Sequence, residues 1–324
     1  MKKTILKTLW LFFLPALVSC GQSASEDEGK DEEKSGKKLP VYEFGDDKTL
    51  LWEITGKGIK NPSYLYGTIH IQNGRVFAYD TMVTQIFNYC DAYAMELNME
   101  EMDLVKMKDF LTMDLPIDSF VTPAQFRSID SMLQKRMKKS LTSMDQRYAK
   151  PFFIYSELMV SNEKKDKSFA LDLDFFFKAK KDGKKLIGIE KFEEQFAAVD
   201  MISIEDQVKM LLEMLKEEQS DSLYNLMVDT YIAGDLEKML EITTDTTMPD
   251  NFEKAFLIDR NIRMAERIAK ISKEQTTFNA VGAGHLGGPD GVIALLRKNG
   301  YTVKPIKTKF GEFKPEEEKK PKTK

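Results

Sequence analysis

Histidine occurs twice in the 324 residues, and both copies close the pattern Gly-x-x-His: Gly67-Thr68-Ile69-His70 and Gly282-Ala283-Gly284-His285. Histidine is the commonest metal ligand and the usual acid–base group near neutral pH. Each pattern follows a run that reads as a β-strand, Tyr64-Leu65-Tyr66 in one case and Phe278-Asn279-Ala280-Val281 in the other. Strand ends are where open α/β sheets place their sites. Positions 70 and 285 are 215 residues apart, so only the fold can bring them together.

The elements that must do so can be traced along the chain. Leu50 to Thr55 and Ser63 to Ile71 read as strands of a hairpin, joined by a turn around Gly56, Gly58 and Pro62. Asp80 to Tyr89 has helical periodicity, and Ala92 to Leu97 reads as a strand that would deliver Glu96 beside His70. A carboxylate on so apolar a strand is costly to bury without a partner. Thr122-Pro123 is a helix start, with Thr as cap and Pro in the first turn. Tyr148 to Val160 and Glu205 to Glu217 carry apolar helical stripes. Asp172 to Lys181 is a further helix, turned at Asp182-Gly183 into the strand Leu186 to Ile189, with Glu190 at its end and helix again from Lys191 to Ala197. Asp221 to Leu240 and Phe252 to Ile271 read as helices, Thr277 to Val281 as a strand. Pro289-Asp290 opens a last helix closed by Gly300, and Tyr301 to Ile306 is the final strand. The fold class expected is α/β, a mixed sheet built from two α/β halves with a large helical insertion between them.

The two ends differ from this middle. Lys2, Lys3 and Lys7 precede an apolar stretch, Leu9 to Val18, too short to span a bilayer. The stretch ends at Leu17-Val18-Ser19-Cys20, which resembles a bacterial lipobox and implies a signal peptide of residues 1–20 with lipidation of Cys20. A lipid anchor would hold the protein on a membrane, in the bacterial envelope at the outer membrane, facing either the periplasm or the cell surface. Gly21 to Lys38 carries six acidic and four basic residues, so residues 21–40 are expected to be a solvated tether. Residues 307–324 are expected to be a charged tail, leaving 41–306 as the folded domain. The formal charge of −4 argues for no nucleic-acid partner. With Cys20 lipidated, Cys90 is the only remaining thiol, which excludes an intrachain disulfide or a thiolate zinc cluster. Cys90 itself sits in an apolar helix end and reads as a packing residue.

Five segments in order resemble one family. Leu51-Trp52-Glu53-Ile54 with Gly67-Thr68-Ile69-His70, and Val281 to Gly288 with Gly300-Tyr301, are similar to the opening and closing motifs of the TraB/GumN family, related to the Tiki proteases. Ala94-Met95-Glu96-Leu97 resembles its strand-borne glutamate, Gly188-Ile189-Glu190 with Gln195 its Gly-Leu-Glu…Gln element, and Arg260-Asn261 with Met264-Ala265 its Arg-Asn helix. One departure is Ala170 before Leu171-Asp172, where many members have glycine. The resemblance spans Val41 to Ile306. It implies a fold of the erythromycin-esterase/ChaN-like kind and a metal-dependent peptidase site built on both Gly-x-x-His motifs and a glutamate.

Two imidazoles and one carboxylate with an open position hold a divalent ion in many hydrolytic sites, and such an ion lowers the pKa of bound water from about 15.7 to about 7. His70, His285 and Glu96 are the expected ligands for Mn, Co or Zn, with Glu96 alternatively the general base. Glu190 is the reserve carboxylate, and Arg260 binds a substrate carboxylate, steadies an oxyanion or pairs a carboxylate. Gly67, Thr68, Gly284 and Asn261 are candidate substrate contacts, because glycine lets backbone and substrate approach closely. The expected function is a metal-dependent hydrolase of peptides or other small substrates. The alternatives are a metal-independent His/Glu hydrolase and a non-catalytic lipoprotein that binds peptide, haem or metal. No Gly-x-Ser-x-Gly elbow, phosphate-binding loop, His-Glu-x-x-His or Cys-x-x-Cys is present.

Overall fold

The computed structural model describes residues 38–161, 165–216, 221–243 and 253–313. Cys20, its leader, the tether to residue 37 and the tail from residue 314 lie outside the described residues.

Six strands form one mixed sheet: β1 (Leu51–Thr55), β2 (Ser63–Thr68), β3 (Ala92–Met95), β4 (Lys185–Gly188), β5 (Thr277–Gly282) and β6 (Thr302–Pro305), in the order β4-β3-β5-β2-β1-β6. The four strands β4, β3, β5 and β2 run parallel, and β1 is antiparallel to both β2 and β6. Every residue of β2, β3 and β5 is buried. That is the signature of parallel strands covered on both faces, and it explains why these segments read as apolar runs rather than alternating ones. The β1–β2 hairpin is the expected one.

Helix α1 (Thr81–Tyr89) links β2 to β3, and α12 (Val292–Lys298) links β5 to β6. The helical middle falls into two blocks separated by β4. The first holds α2 (Leu104–Leu111), α3 (Pro123–Met137), α4 (Met144–Arg147), α5 (Pro151–Val160) and α6 (Leu171–Lys181). The second holds α7 (Phe192–Asp200), α8 (Ile204–Lys216), α9 (Asp221–Ile232), α10 (Leu236–Thr243) and α11 (Asp259–Glu274). Thr122 caps α3 in a reciprocal box with Gln125, and Pro123 occupies the first turn, as the sequence predicts.

Several boundaries differ from the sequence reading, each for a local reason. β2 ends at Thr68 because its neighbour β5 ends at Gly282 and turns into the 3-10 turn Ala283–His285, leaving no partner beyond. The predicted helix from Asp221 to Leu240 is two helices, broken where Gly234 takes a φ of 65°, and a side chain there would meet the Lys48 backbone at 2.8 Å. Residues 148–150 are not helical because their backbone pairs with residues 111–113, through Met113 N–H to Tyr148 O at 2.8 Å and Lys150 N–H to Leu111 O at 2.9 Å. The last helix starts at Val292, with Gly291 as its cap. Residues 307–313, within the stretch expected to be tail, are packed: Lys309 N–H donates to Asp80 Oδ2 (2.9 Å), Gly311 N–H to Ala78 O (2.7 Å), and Phe310 meets Tyr231. Cys90 is fully buried in the core.

Candidate functional site

β2 and β5 are neighbouring parallel strands, and their last pair in register is Thr68 with Gly282. The two Gly-x-x-His patterns therefore leave the sheet side by side at its C-terminal edge, and both histidines are buried there. Glycine at position 67 suits close packing of the motifs: a Cβ there would lie 3.0 Å from Leu286 Cδ1 and 3.2 Å from Ala283 Cβ, in the second motif, tight enough that these neighbours would have to shift. The Tyr231 hydroxyl, from α9, donates to the Gly67 carbonyl at 2.8 Å and ties the helical block to the first motif. Glu96 and Glu190 follow the neighbouring strands β3 and β4, extending their ladder through Glu190 N–H to Glu96 O at 2.8 Å. Four consecutive parallel strands thus present Glu190, Glu96, His285 and His70 along one edge.

Each imidazole is held at Nδ1. Asn261 Nδ2 donates to the Asp290 carbonyl (2.9 Å), which orients the amide so that Oδ1 faces His285 Nδ1 at 2.6 Å. That contact places the proton of a neutral ring on Nδ1 and the lone pair on Nε2. Burial first, then the positive charges of Arg260 and His70, hold His285 well below the ordinary 6.5. His70 Nδ1 lies 3.0 Å from Asp172 Oδ1, an ion-pair distance though not aligned as a hydrogen bond. Asp172 is fixed in turn through its own carbonyl, which accepts from the Tyr93 hydroxyl at 3.1 Å. Burial lowers the His70 pKa, but the Asp172 carboxylate, with a smaller push from Glu96, overrides it and holds the ring up at about 9. One site therefore contains one protonated and one neutral imidazole, and environments that split such a pair assign an acid and a base.

The two glutamates share one cation. Arg260, completely buried, donates from Nη2 to Glu96 Oε2 (2.8 Å) and to Glu190 Oε2 (2.5 Å), and from Nε to both Glu190 oxygens (3.1 and 3.0 Å). Burial opposes the charge on Arg260, yet the two carboxylates raise its pKa above the ordinary value. Gln195 Nε2 bridges Glu96 Oε2 (3.2 Å) and Glu190 Oε2 (3.1 Å), and Gly282 N–H donates to Glu96 Oε1 at 2.6 Å. Arg260 and Asn261 are adjacent on α11, just after a π-helical stretch, Lys254–Ile258. Such stretches recur at functional sites, and here the helix emerging from one carries two successive buried polar residues into the site.

A cleft of about 20 Å³, room for roughly one water-sized group, opens among Thr68, His70, Met95, Glu96, Leu97, Met99, Asp172, Leu173, Phe176 and Ala280. His70, His285, Glu96, Glu190, Arg260 and Asn261 are thus brought together, with Thr68 on the cleft wall. Gly67 and Gly284 are buried, Gly67 serving the packing of one motif on the other. Arg260 faces the two glutamates. Asp172 and Gln195 complete the arrangement without having been singled out as site residues. The signal for Asp172 is a polar side chain between Leu171 and Leu173 in a helical run, and that for Gln195 is its place after Gly188-Ile189-Glu190.

The donors present fit a divalent ion in part. Imidazoles that bind metals usually offer one nitrogen and give the other to a carbonyl or carboxylate, as both rings do here. Glu96 does not fit as the third ligand in this arrangement, since its oxygens are engaged by Arg260, Gln195 and Gly282. Among the described residues no three His, Cys, Asp or Glu side chains are gathered around one point.

Fold and site together define an α/β protein with a histidine–carboxylate cluster at the C-terminal edge of a parallel sheet. The model of the TraB/PrgY/gumN family matches residues 50–305, and the chain belongs to that family. It is 26% identical over 313 residues to "Metalloprotease TIKI1" of Danio rerio, covering 79% of this chain and 62% of that protein. It is 25% identical over 340 residues to "Metalloprotease TIKI homolog" of Nematostella vectensis, covering 84% and 71%. "Metalloprotease TIKI2" of Danio rerio is 24% identical over 316 residues, covering 80% and 61%. The chain therefore spans about three fifths to seven tenths of these relatives' lengths. No solved structure matches it significantly.

Proposed function

We propose that this chain is a metal-dependent hydrolase of peptides or similar small substrates, acting where His70 and His285 meet. The observation that carries the reading is the pairing of β2 with β5, which seats the two histidines at adjacent strand ends with each ring anchored at Nδ1. The names of its relatives, metalloproteases at about a quarter identity, support it. A divalent ion such as Mn, Co or Zn, when bound, would supply a water acidified enough to attack at neutral pH.

The chain's own groups supply the rest. His285, neutral with its lone pair on Nε2, is the nitrogen donor or proton acceptor. His70 with Asp172 holds a proton at neutral pH that can be passed to a leaving amine, or released when the ring binds metal. Arg260 pairs with both Glu96 and Glu190 in a buried place, two carboxylates against one guanidinium beside the histidines, an arrangement that would favour a further cation. The apolar wall of Met95, Leu97, Met99 and Phe176 limits water around them.

The second reading is a metal-independent hydrolase with the His–carboxylate pair as its base, favoured by the engagement of Glu96 with Arg260. We further propose that Cys20 carries lipid and holds the protein on a membrane of the bacterial envelope, with no nucleic-acid partner. No helix among the described residues is long and apolar enough to cross a membrane. The deciding experiment is turnover of a peptide library by the full chain supplied with Mn²⁺, Co²⁺ or Zn²⁺ in turn, with elemental analysis of the purified protein. Metal-stimulated turnover lost in both His70→Ala and His285→Ala supports the proposal. Turnover indifferent to metal and to chelators supports the second reading, and no turnover of any peptide refutes both. Fractionation of Cys20→Ala tests the anchor: a variant processed and membrane-bound like wild type would refute it.

A further inference from the structure

Phe169 and Phe177 are large aromatic side chains left 42% and 41% exposed. Single exposed apolar residues need no explanation, but these two pack against one another, ring centres 4.5 Å apart and planes tilted by 42°, and Phe177 meets Phe176 edge-on at 5.2 Å. Phe176 lines the cleft that holds His70, Glu96 and Asp172. Along α6, Leu173 also lines the cleft, and Phe176 and Phe177 stand three and four residues further on, on the same helical face. An unbroken apolar surface thus runs from solvent, over Phe169 and Phe177, to Phe176 and Leu173 beside the His70–Asp172 pair.

The shelf is also fixed in place. Gln72, two residues after His70, donates from Nε2 to the Ser168 carbonyl (2.8 Å) and accepts at its own carbonyl from Lys167 N–H (3.0 Å). Gly74 N–H donates to Asp166 Oδ2 (3.0 Å). The segment ending in Phe169 is therefore clasped to the loop that carries His70, and the helix that begins behind it carries Asp172. Anything lying on the shelf is held in register with those two groups. Preformed aromatic surface beside a polar cluster is how small-molecule and peptide sites combine affinity with orientation.

We propose that Phe169 and Phe177, continued inward by Phe176 and Leu173, form the subsite for an apolar side chain, aromatic or long aliphatic, next to the bond attacked at His70. This rests on the peptide-hydrolase reading and names its substrate class: peptides with a bulky apolar residue flanking the scissile bond, rather than small or acidic ones. A side chain on the shelf is covered on one face by two rings and reaches the cleft mouth, which holds only a water-sized group. Selection for apolar bulk of about tenfold is expected, at the lower end of what an apolar pocket achieves.

The test uses the full chain with the best of Mn²⁺, Co²⁺ and Zn²⁺, and fluorogenic peptides that differ at one position, Phe, Leu, Gly or Asp. Wild type should favour Phe and Leu over Gly and Asp about tenfold in kcat/KM, mostly through KM. F169S/F177S should bring the ratio to within about twofold, while Leu115→Ser, an exposed apolar residue elsewhere, leaves the ratio as in wild type. Thermal unfolding confirms that both variants fold. Binding of the same peptides to His70→Ala, read by fluorescence polarisation, separates the two claims. If no peptide is hydrolysed but the Phe peptide binds and F169S/F177S abolishes binding, the subsite stands and the hydrolase reading falls. An unchanged Phe-to-Gly ratio in F169S/F177S overturns the subsite, as does a wild type without preference in either assay. Loss of binding to phosphatidylglycerol vesicles with the peptide ratio intact would make the shelf a membrane contact and equally overturn it.

Discussion

Asp172→Asn should release His70 from its raised pKa, and the size of the effect can be worked from the geometry. Unit charges 3.0 Å apart attract by about 5–6 kcal/mol at an effective dielectric of 20. Burial works against the charged ring and takes back part of that. The span from the ordinary 6.5 to about 9 corresponds to about 3 kcal/mol, so burial recovers a little under half. With the carboxylate replaced by an amide, only the weaker pull of Glu96 remains against burial and the charge of Arg260, and His70 should titrate below 6.5. The stability sign follows. A folded pKa above the unfolded one means stabilisation fully present below pH 6.5 and lost as pH rises through 9. Wild type should therefore lose about 3 kcal/mol across that window, and Asp172→Asn should show almost no slope there. The chain has only two histidines, so an untagged, metal-free sample yields two ring systems by nitrogen-edited NMR, assigned with His285→Gln. One should titrate near 9 in wild type, and the other well below the ordinary 6.5. A His70 that titrates near 6.5 in wild type, or one unmoved by Asp172→Asn, would refute the reasoning.

Arg260→Met leaves Glu96 and Glu190 buried without their cation and should cost about 3–5 kcal/mol in urea unfolding; a variant as stable as wild type would refute that role of the guanidinium. Asn261→Ala frees the His285 ring to turn and should lower metal-supported activity by about 10–100-fold, with unchanged turnover refuting its orienting role. Glu194, gripped at both oxygens by Arg267 (2.6 and 2.7 Å), is held down at about 2 by that hydrogen bonding. Its contribution is present above the ordinary 4.5 and lost as pH falls towards 2, so the acid limb of Glu194→Gln stability should be shallower than that of wild type in the same denaturation series.

What the sequence made legible was local. The apolar runs of β2, β3 and β5, the Thr122 cap and the glycine-preceded histidines carry signals within a few residues, and their elements form where expected. The pairing of the two strands that end before His70 and His285 was legible only as a requirement, since strand order is set by packing across the whole domain. The partners of Glu96 were legible only in outline: its burial demands one, and Arg260 is a cation able to pair a carboxylate, but nothing local joins the two. A strand-borne glutamate reads the same whether it faces a metal, a water or a guanidinium, and the choice depends on the rotation of α11 after Lys254–Ile258. Asp172 was hidden for a similar reason: its neighbours Leu171 and Leu173 announce a buried helix, while its role comes from the loop of His70 packed against that helix's start.

The two halves of the site are joined by consecutive residues on one helix. Arg260 holds the carboxylates that follow β3 and β4, and Asn261 orients the histidine that follows β5. A regular helix turns about 100° per residue, so neighbours cannot both point at one narrow target, but they can reach two targets that lie side by side along a sheet edge. The order Glu190, Glu96, His285, His70 provides such an edge, with the carboxylates at the ends of β4 and β3 and the histidines at the ends of β5 and β2. Glu96 closes the connection, because its Oε1 accepts from Gly282 N–H, the first residue of the second histidine motif. Moving α11 by a fraction of a turn would thus disturb the carboxylate charge and the His285 tautomer together. Other helices of the two blocks reach this edge by single side chains, Asp172 of α6 at His70, Gln195 of α7 at the two glutamates and Tyr231 of α9 at the Gly67 carbonyl. The five short motifs spread over long helical stretches are accordingly the strand ends and the few helical residues that touch them.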